Sequence, residues 1–294
     1  MFTENNSSVV ALGIFDGVHI GHRKIIDKAI SKSTSGLVPT VFTFNVASLS
    51  EKHGKNFRYI YTDEQKARLL TSLGIENIVS VDFGEVCELS GEEFINEILV
   101  KKLNAACVVC GNDYRFGKDA ACGVNELEAL CRPYGIEVIK ISDVENGGDK
   151  ISSQLIRELL GYGAITTVTD FLGRRYFISQ TVEAGSRIGR TIGYPTINQH
   201  FAEGQLVPKY GVYATEVTID DVTYKAVTNI GVKPTVTDDN KVVAETYILE
   251  FCGDLYGKSI RVYFENFMRG EKKFGSVEEL KATIHSDIQH RLSL

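Results

Sequence analysis

SSVVALGIFDGVHIGHRKII, residues 7–26, decides the fold. The run SSVVALGIF (7–15) is apolar and β-branched, the composition of a strand buried on both faces. GHRKIIDKAISKS (21–33) then carries apolar residues at Ile25, Ile26, Ala29 and Ile30, the spacing of a helix face. Between them lies a glycine-rich turn with Gly13, Gly17 and Gly21. Strand, tight turn and helix in that order predict the first step of a parallel α/β sheet. In such sheets ligands gather beyond the carboxyl ends of the strands, and helix N-termini attract phosphate. His19 and His22 at that helix start are therefore candidates to hydrogen-bond phosphate oxygens as charge builds in a transition state.

The same alternation continues outward. LVPTVFTF (37–44), IENIVSVDF (75–83), AACVVCG (105–111) and IEVIKIS (136–142) read as strands. TDEQKARLLTSLG (62–74) is framed as a helix by Thr62 and Gly74, and SGEEFINEILVKKL (90–103) is capped by Ser90. NELEALCRPYG (125–135) and SSQLIRELLGYG (152–163) complete the helices. The expected result is a parallel sheet covered on both faces. Near residue 173 the pattern changes to short β-rich runs, YFISQTVEAG, GVYATEVTID, VTYKAVTNIG, AETYILEF and SIRVYFENF, separated by Gly, Asp and Asn. These predict a small antiparallel barrel, followed by a C-terminal helix over VEELKATIHSDIQHRL (277–292). The chain is thus expected to be a Rossmann-like α/β domain, 1–170, followed by a β-barrel domain, 171–294, with the boundary around TTVTDFLGRRY (166–176).

Bulk properties narrow the function. The chain has 294 residues, 43% hydrophobic and 24% charged, which suits two globular domains. A net charge of −6 argues against a non-specific nucleic-acid binder. No apolar run reaches a membrane span, and MFTENNSSVV lacks the form of a signal peptide, so a cytoplasmic protein is expected. Cys107 and Cys110 form a C-x-x-C inside an apolar strand, where residues three apart face opposite sides. No second cysteine pair or histidine pair completes a zinc site, so buried free thiols are expected. His53 and His200 fall in loops without a visible partner, His285 and His290 on the surface of the last helix, and Asp238 and Asp239 in a turn.

Segments in both halves carry a resemblance. G-x-F-D-G-V-H-x-G-H at 13–22, GNDYRFG at 111–117 and ISSQLIREL at 151–159 resemble the nucleotidyltransferase half of bacterial bifunctional riboflavin kinase/FMN adenylyltransferases. GSRIGRTIGYPTIN (185–198) resembles their riboflavin kinase signature, and NIGVKPTV (229–236), AETYILEF (244–251), DLYG (254–257) and RGEKKF (269–274) match further segments of that half, the two halves occurring in the expected order. The resemblance runs from about residue 9 to 290.

It implies nucleotide and flavin contacts from Gly13, Phe15, Asp16, Gly21, Asp113, Ser152 and Ser153, with His19, His22 and Arg157 acting on the triphosphate. In the second half it implies Gly185, Gly189, Arg190, Gly193 and Pro195 around ATP phosphates, Thr196 and Asn198 on Mg²⁺, Glu245 as general base, and Arg269 covering the flavin. The substrates would be riboflavin, FMN and ATP, with FMN and FAD as products, and no nucleic acid or membrane. A monomer or weak oligomer is expected. Read singly, Glu245 is a solvated strand residue and Thr196 and Asn198 are turn residues; only their joint spacing points to catalysis. Two departures stand out: Gln154 replaces the usual Thr, and TFNVAS (43–48) lacks the P-H-P element. Three functions follow: both activities, kinase alone with an N-terminal scaffold, or a non-catalytic flavin- or RNA-binding protein.

Overall fold

The computed structural model describes residues 7–33, 36–54, 56–185, 188–232 and 242–294. They form two compact units, Met1–Ser153 and Gln154–Leu294.

In the first unit, β1 (Ser8–Leu12), α1 (Ile20–Lys32), β2 (Val38–Phe44), α2 (Leu49–His53), α3 (Asp63–Ser72) and β3 (Asn77–Val81) are followed by α4 (Gly91–Glu93), which continues as a π-helix over Phe94–Lys102. Next come β4 (Ala105–Gly111), α5 (Val124–Cys131), β5 (Glu137–Ile141) and a small hairpin, β6 (Glu145–Asn146) and β7 (Asp149–Lys150). The five long strands are parallel, in the order β3-β2-β1-β4-β5. Chain direction across the sheet therefore reverses between β1 and β4, the crevice where such folds bind ligands.

The two-residue period of β1 and β4 sorts their side chains to opposite faces. Val9, Ala11, Cys107 and Val109 pack with α1 and α3 through Ile25, Ile26, Ala29 and Leu70. Val10, Leu12, Val108 and Cys110 pack with the π-helix and α5 through Phe94, Ile98, Leu99 and Leu127. The C-x-x-C is thus split across the sheet, and both thiols are free and buried. Thr62 and Gln65 form a complete capping box on α3, as do Ser90 and Glu93 on α4. The segment 90–103 was expected to be α-helical throughout; from Phe94 it winds as a π-helix, and Phe94, Ile95, Ile98 and Leu99 are its buried side chains.

The second unit holds α6 (Ser153–Tyr162), α7 (Ile165–Leu172), β8 (Phe177–Thr181), α8 (Ile188–Thr191), β9 (Thr196–His200), β10 (Gly211–Ile219), β11 (Val222–Val232), β12 (Val242–Ile248), β13 (Ser259–Arg269) and α9 (Val277–Ser293), the first residue of α6 belonging to the first unit. The strands are antiparallel in the order β8-β13-β10-β11-β12-β9. The curled sheet joins its edges where Glu183 N donates to Asn198 O at 2.9 Å, and where the Gln199 amide, fully buried, donates to the carbonyls of Gln180 and Ile260 at 2.7 Å each. Inside, the hydroxyls of Thr215, Thr228 and Thr246 form a buried chain with 2.8 Å steps.

The units part at 153/154, ahead of the expected 170/171. α6 and α7 are grouped with the barrel: Leu160 O accepts from Lys209 N at 3.0 Å, and α7 packs on β13. The stretch read as a boundary contains most of α7, whose Ile165, Val168, Phe171 and Leu172 are buried. Two loop histidines are also corrected. His53 ends α2 and stacks on Phe57, with centroids 4.8 Å apart. His200 ends β9, with Nε2 at 3.8 Å from Glu183. His285 and His290 are exposed on α9. Asp238 and Asp239 lie outside the described residues.

Two candidate active sites

In the first unit, the 13–22 loop leaves β1 at the switch point. Its backbone is strained: Phe15, Gly17 and Val18 have φ of +53°, +80° and +43°. Positive φ at Phe and β-branched Val costs on the order of 1–3 kcal/mol each and persists where surrounding structure enforces it. Phe15 and Val18 are fully buried, and a Cβ on Gly13 would lie 2.9 Å from the Phe15 ring. Burial of the ring thus fixes the loop and explains Gly13.

The loop ends at His19, the N-cap of α1, whose Nδ1 accepts from His22 N at 3.3 Å. A neutral His19 therefore carries its proton on Nε2. The imidazoles of His19 and His22 stack, with centroids 3.6 Å apart. α1 has no acid in its first turn, so its positive end is left for an anion. A Cβ on Gly21 would lie 3.1 Å from the His19 ring and 3.8 Å from Ile151 O.

Ser153 Oγ donates to Asp16 O at 2.7 Å, which ties the 151–153 segment to the loop. Asp113 follows β4, adjacent to β1, and its carboxylate pairs with Lys150 at 2.5 Å; Lys150 also reaches Asp143 at 3.0 Å. The sheet thus brings residues 13–22, Asp113 and Ser152–Ser153 to one edge. Asp16 is the exception among them, since its carboxylate is turned inward: it is 1% exposed and Oδ1 accepts from Ile60 N at 2.9 Å. Arg157 lies four residues after Ser153 on α6, with Nη1 at 3.5 Å from Gln154 Oε1. The Gln154 amide is engaged along its own helix, donating to Glu158 at 2.8 Å. TFNVAS is structural as well: the Asn45 amide nitrogen donates to Asp82 and its oxygen accepts from Ser80, both at 2.6 Å.

In the second unit, register assembles the site. Asn198, Glu245 and Asn229 are direct partners across β9, β12 and β11, and Val212 and Arg269 extend the row on β10 and β13. Thr196, Tyr247 and Val227 form the next row on the same face. Directly opposed Cβ atoms lie about 4.5–5.5 Å apart. All eight residues line one cavity of about 320 Å³. Gly185, Gly189, Arg190 and Pro195 line it too. A Cβ on Gly185 would fall 2.6 Å from the Asn198 amide, so the loop packs directly on that side chain. Gly193 has φ +92°, and Tyr194 N closes its turn onto Gly189 O at 2.8 Å.

α9 supplies the facing wall with Leu280, Ile284 and Asp287, one helical stripe. Arg269 is held by Asp287 through two hydrogen bonds, Nε to Oδ1 at 2.9 Å and Nη2 to Oδ2 at 2.7 Å. Its guanidinium thereby ties α9 to the sheet while the residue lines the cavity. Near the helix end Arg291, 1% exposed, reaches Glu265 at 2.8 Å and Glu216 at 3.6 Å and donates to Thr215 O at 3.2 Å. Arg175 pairs with the same two glutamates. Burial and the neighbouring Glu216 push the Glu265 carboxyl up, against the pull of Arg291. Asn229, Tyr247, Asp287 and the anchoring Arg291 escaped the sequence reading. The strand alternation held a signal for Asn229 and Tyr247; nothing local marked Asp287 or Arg291. Among the described residues no cluster of three His, Cys, Asp or Glu side chains is placed to hold a metal ion. Among the described residues no helix is long and apolar enough to cross a membrane.

Comparison with known proteins agrees with this division. A family model described as FAD synthetase matches residues 1–155, and one described as riboflavin kinase matches 172–294. Bifunctional riboflavin kinase/FMN adenylyltransferases from Listeria monocytogenes and Bacillus subtilis are 34% and 33% identical, over 96% and 98% of this chain and 91% and 93% of theirs. A crystal structure from Streptococcus pneumoniae, named as a macrolide-efflux protein, superposes with a TM-score of 0.86 at 31% identity, covering 100% of this chain and 96% of that one. With both signatures in order and relatives matched over nearly their full length, the chain belongs to the family of bacterial bifunctional riboflavin kinase/FMN adenylyltransferases.

Proposed function

We propose that this chain makes FAD from riboflavin in two ATP-dependent steps, with the C-terminal barrel unit phosphorylating riboflavin to FMN and the N-terminal parallel-sheet unit transferring AMP from ATP to FMN with release of pyrophosphate. The observation that carries this is the row Asn198–Glu245–Asn229 opening into one cavity. In the first step Glu245 accepts the proton of the ribityl 5′-hydroxyl, which is a poor nucleophile until a base takes that proton. Gly185, Gly189, Arg190, Gly193 and Pro195 shape the loop that receives the ATP phosphates. The donor set fits Mg²⁺, because a Thr196 hydroxyl and an Asn198 amide oxygen are hard ligands that leave room for phosphate oxygens. When bound, the ion would neutralise phosphate charge during transfer. Arg269, fixed by Asp287, helps close the flavin side of the cavity.

In the second step the N-terminus of α1, the 13–22 loop and Ser152–Ser153 hold the triphosphate. His19 and His22 stabilise charge on the phosphates as FMN attacks the α-phosphorus and pyrophosphate leaves. Phe15 and Asp16 shape the loop, and Asp113 flanks it across the switch point. The proposal includes small-molecule substrates without nucleic acid and a cytoplasmic monomer or weak oligomer; the net charge of −6 supports the first of these.

Incubation with riboflavin, ATP and Mg²⁺, followed by separation of flavins, tests both steps. FMN and FAD are the expected products. No FMN would overturn the kinase assignment; FMN without FAD would leave the first unit as a scaffold.

A further inference from the structure

Lys66 on α3 is 3% exposed, in a fold position where a lysine is rarely found. Burial lowers its pKa despite favourable contributions from Asp63 and Asp16. A buried charge is costly unless well paired, and an apolar residue of similar size often serves stability as well or better. The charge therefore calls for a use. Its ammonium donates to Phe44 O at 2.7 Å, lies 3.5 Å from Thr43 Oγ1 and pairs with Asp63 at 3.2 Å. Thr43 Oγ1 in turn donates to Ile14 O at 2.8 Å, so one hydroxyl links the ammonium to the loop of the adenylylation site. Asp63 also receives Val46 N at 3.0 Å, which fixes the chain just beyond β2.

The same loop contains Asp16, a carboxylate 1% exposed. A loop that must receive a polyphosphate thus carries a buried negative charge of its own. We propose that Lys66 is a positioning residue for FMN adenylylation: it pins Ile14, Phe44 and Asp63 together beneath the 13–22 loop and offsets the Asp16 charge, so that the loop accepts the triphosphate. This rests on the adenylylation reading above.

The test uses the full-length protein, with FAD formation from FMN and ATP, FMN formation from riboflavin, and thermal unfolding measured side by side. Wild-type FAD formation comes first: its absence would overturn the adenylylation reading itself, independently of Lys66. Given that activity, Lys66→Met is expected to raise the KM for ATP in adenylylation about tenfold and to leave the kinase rate within about twofold. Lys66→Arg, which keeps the charge, is expected to stay within about threefold of wild type. Asp16→Asn placed in the Lys66→Met background is expected to recover at least about a third of the lost ATP affinity, because both buried charges are then gone. An unchanged KM for ATP in Lys66→Met overturns the proposal. So does equal loss in the Met and Arg variants, parallel loss of both activities, or a double variant no better than Lys66→Met.

Discussion

The two units handle the same co-substrate by different means. At the edge of the parallel sheet, the candidate phosphate site is mostly backbone: a loop with three positive φ values, a helix N-terminus and a histidine cap. On the barrel, the site is mostly side chain, a row set by antiparallel register and faced by a helix held with ion pairs. Parallel strands end together and leave their loops to do the chemistry, whereas an antiparallel face lines up side chains from strands far apart in sequence. A backbone site fails by local distortion; a register site fails when one member of its row or its facing wall is altered.

The largest expected effect probes the row. Glu245→Gln should lower the rate of FMN formation about 10²–10⁴-fold, the usual contribution of a general base, while FMN supplied directly is still converted to FAD. Adenylylation falling in parallel would erase the contrast. His22→Ala tests the other side: removal of one donor to the phosphates is expected to cut FAD formation about 10²–10³-fold and to leave FMN formation near wild type. Loss of both activities would mean that His22 supports the fold rather than the chemistry.

A smaller effect is expected from the wall. Asp287→Asn removes the negative charge of the pair with Arg269 but keeps the Arg291 anchor, so the KM for riboflavin should rise about tenfold with kcat within about threefold. A change in kcat alone would show that α9 does not shape the flavin side. The smallest effect concerns thiols, five of which lie in the first unit and one, Cys252, in the second. Burial pushes Cys107 and Cys131 up to about 11 and Cys110 up to about 12. At pH 8 these three remain protonated and should resist alkylation, while exposed Cys252 reacts first by peptide mass spectrometry. In the unfolded chain the thiols ionise near pH 8.5. The folded state then binds more protons, so stability falls as pH rises from about 8.5 toward 11–12. Unfolding temperatures between pH 8 and 10 should drop more for the first unit than for the second.

Much of this was written locally. Strands β1 and β4, the caps at Thr62 and Ser90, and the split of Cys107 and Cys110 across the sheet follow from periodicity and short-range hydrogen bonding. The motifs at 13–22 and 185–198 were visible because each is contiguous. Helix α7 carried its signal in the spacing of Ile165, Val168 and Leu172, but the flanking change of pattern drew the boundary through it. The π-helix from Phe94 had no sequence mark, since its apolar spacing fits an α-helix equally well.

The sequence by itself determined the elements, their order, and the motifs at 13–22 and 185–198, because these depend on neighbours a few residues apart. Only the tertiary structure placed Asn198, Glu245, Asn229 and Arg269 in one row, turned Asp16 inward onto Ile60 N, buried Lys66, and buried Arg291 in the last turn of an outwardly polar helix. Those facts depend on strand register and on charge pairing between distant segments. A one-residue slip would send every side chain of a strand to the other face, and nothing short-range in the sequence fixes that choice.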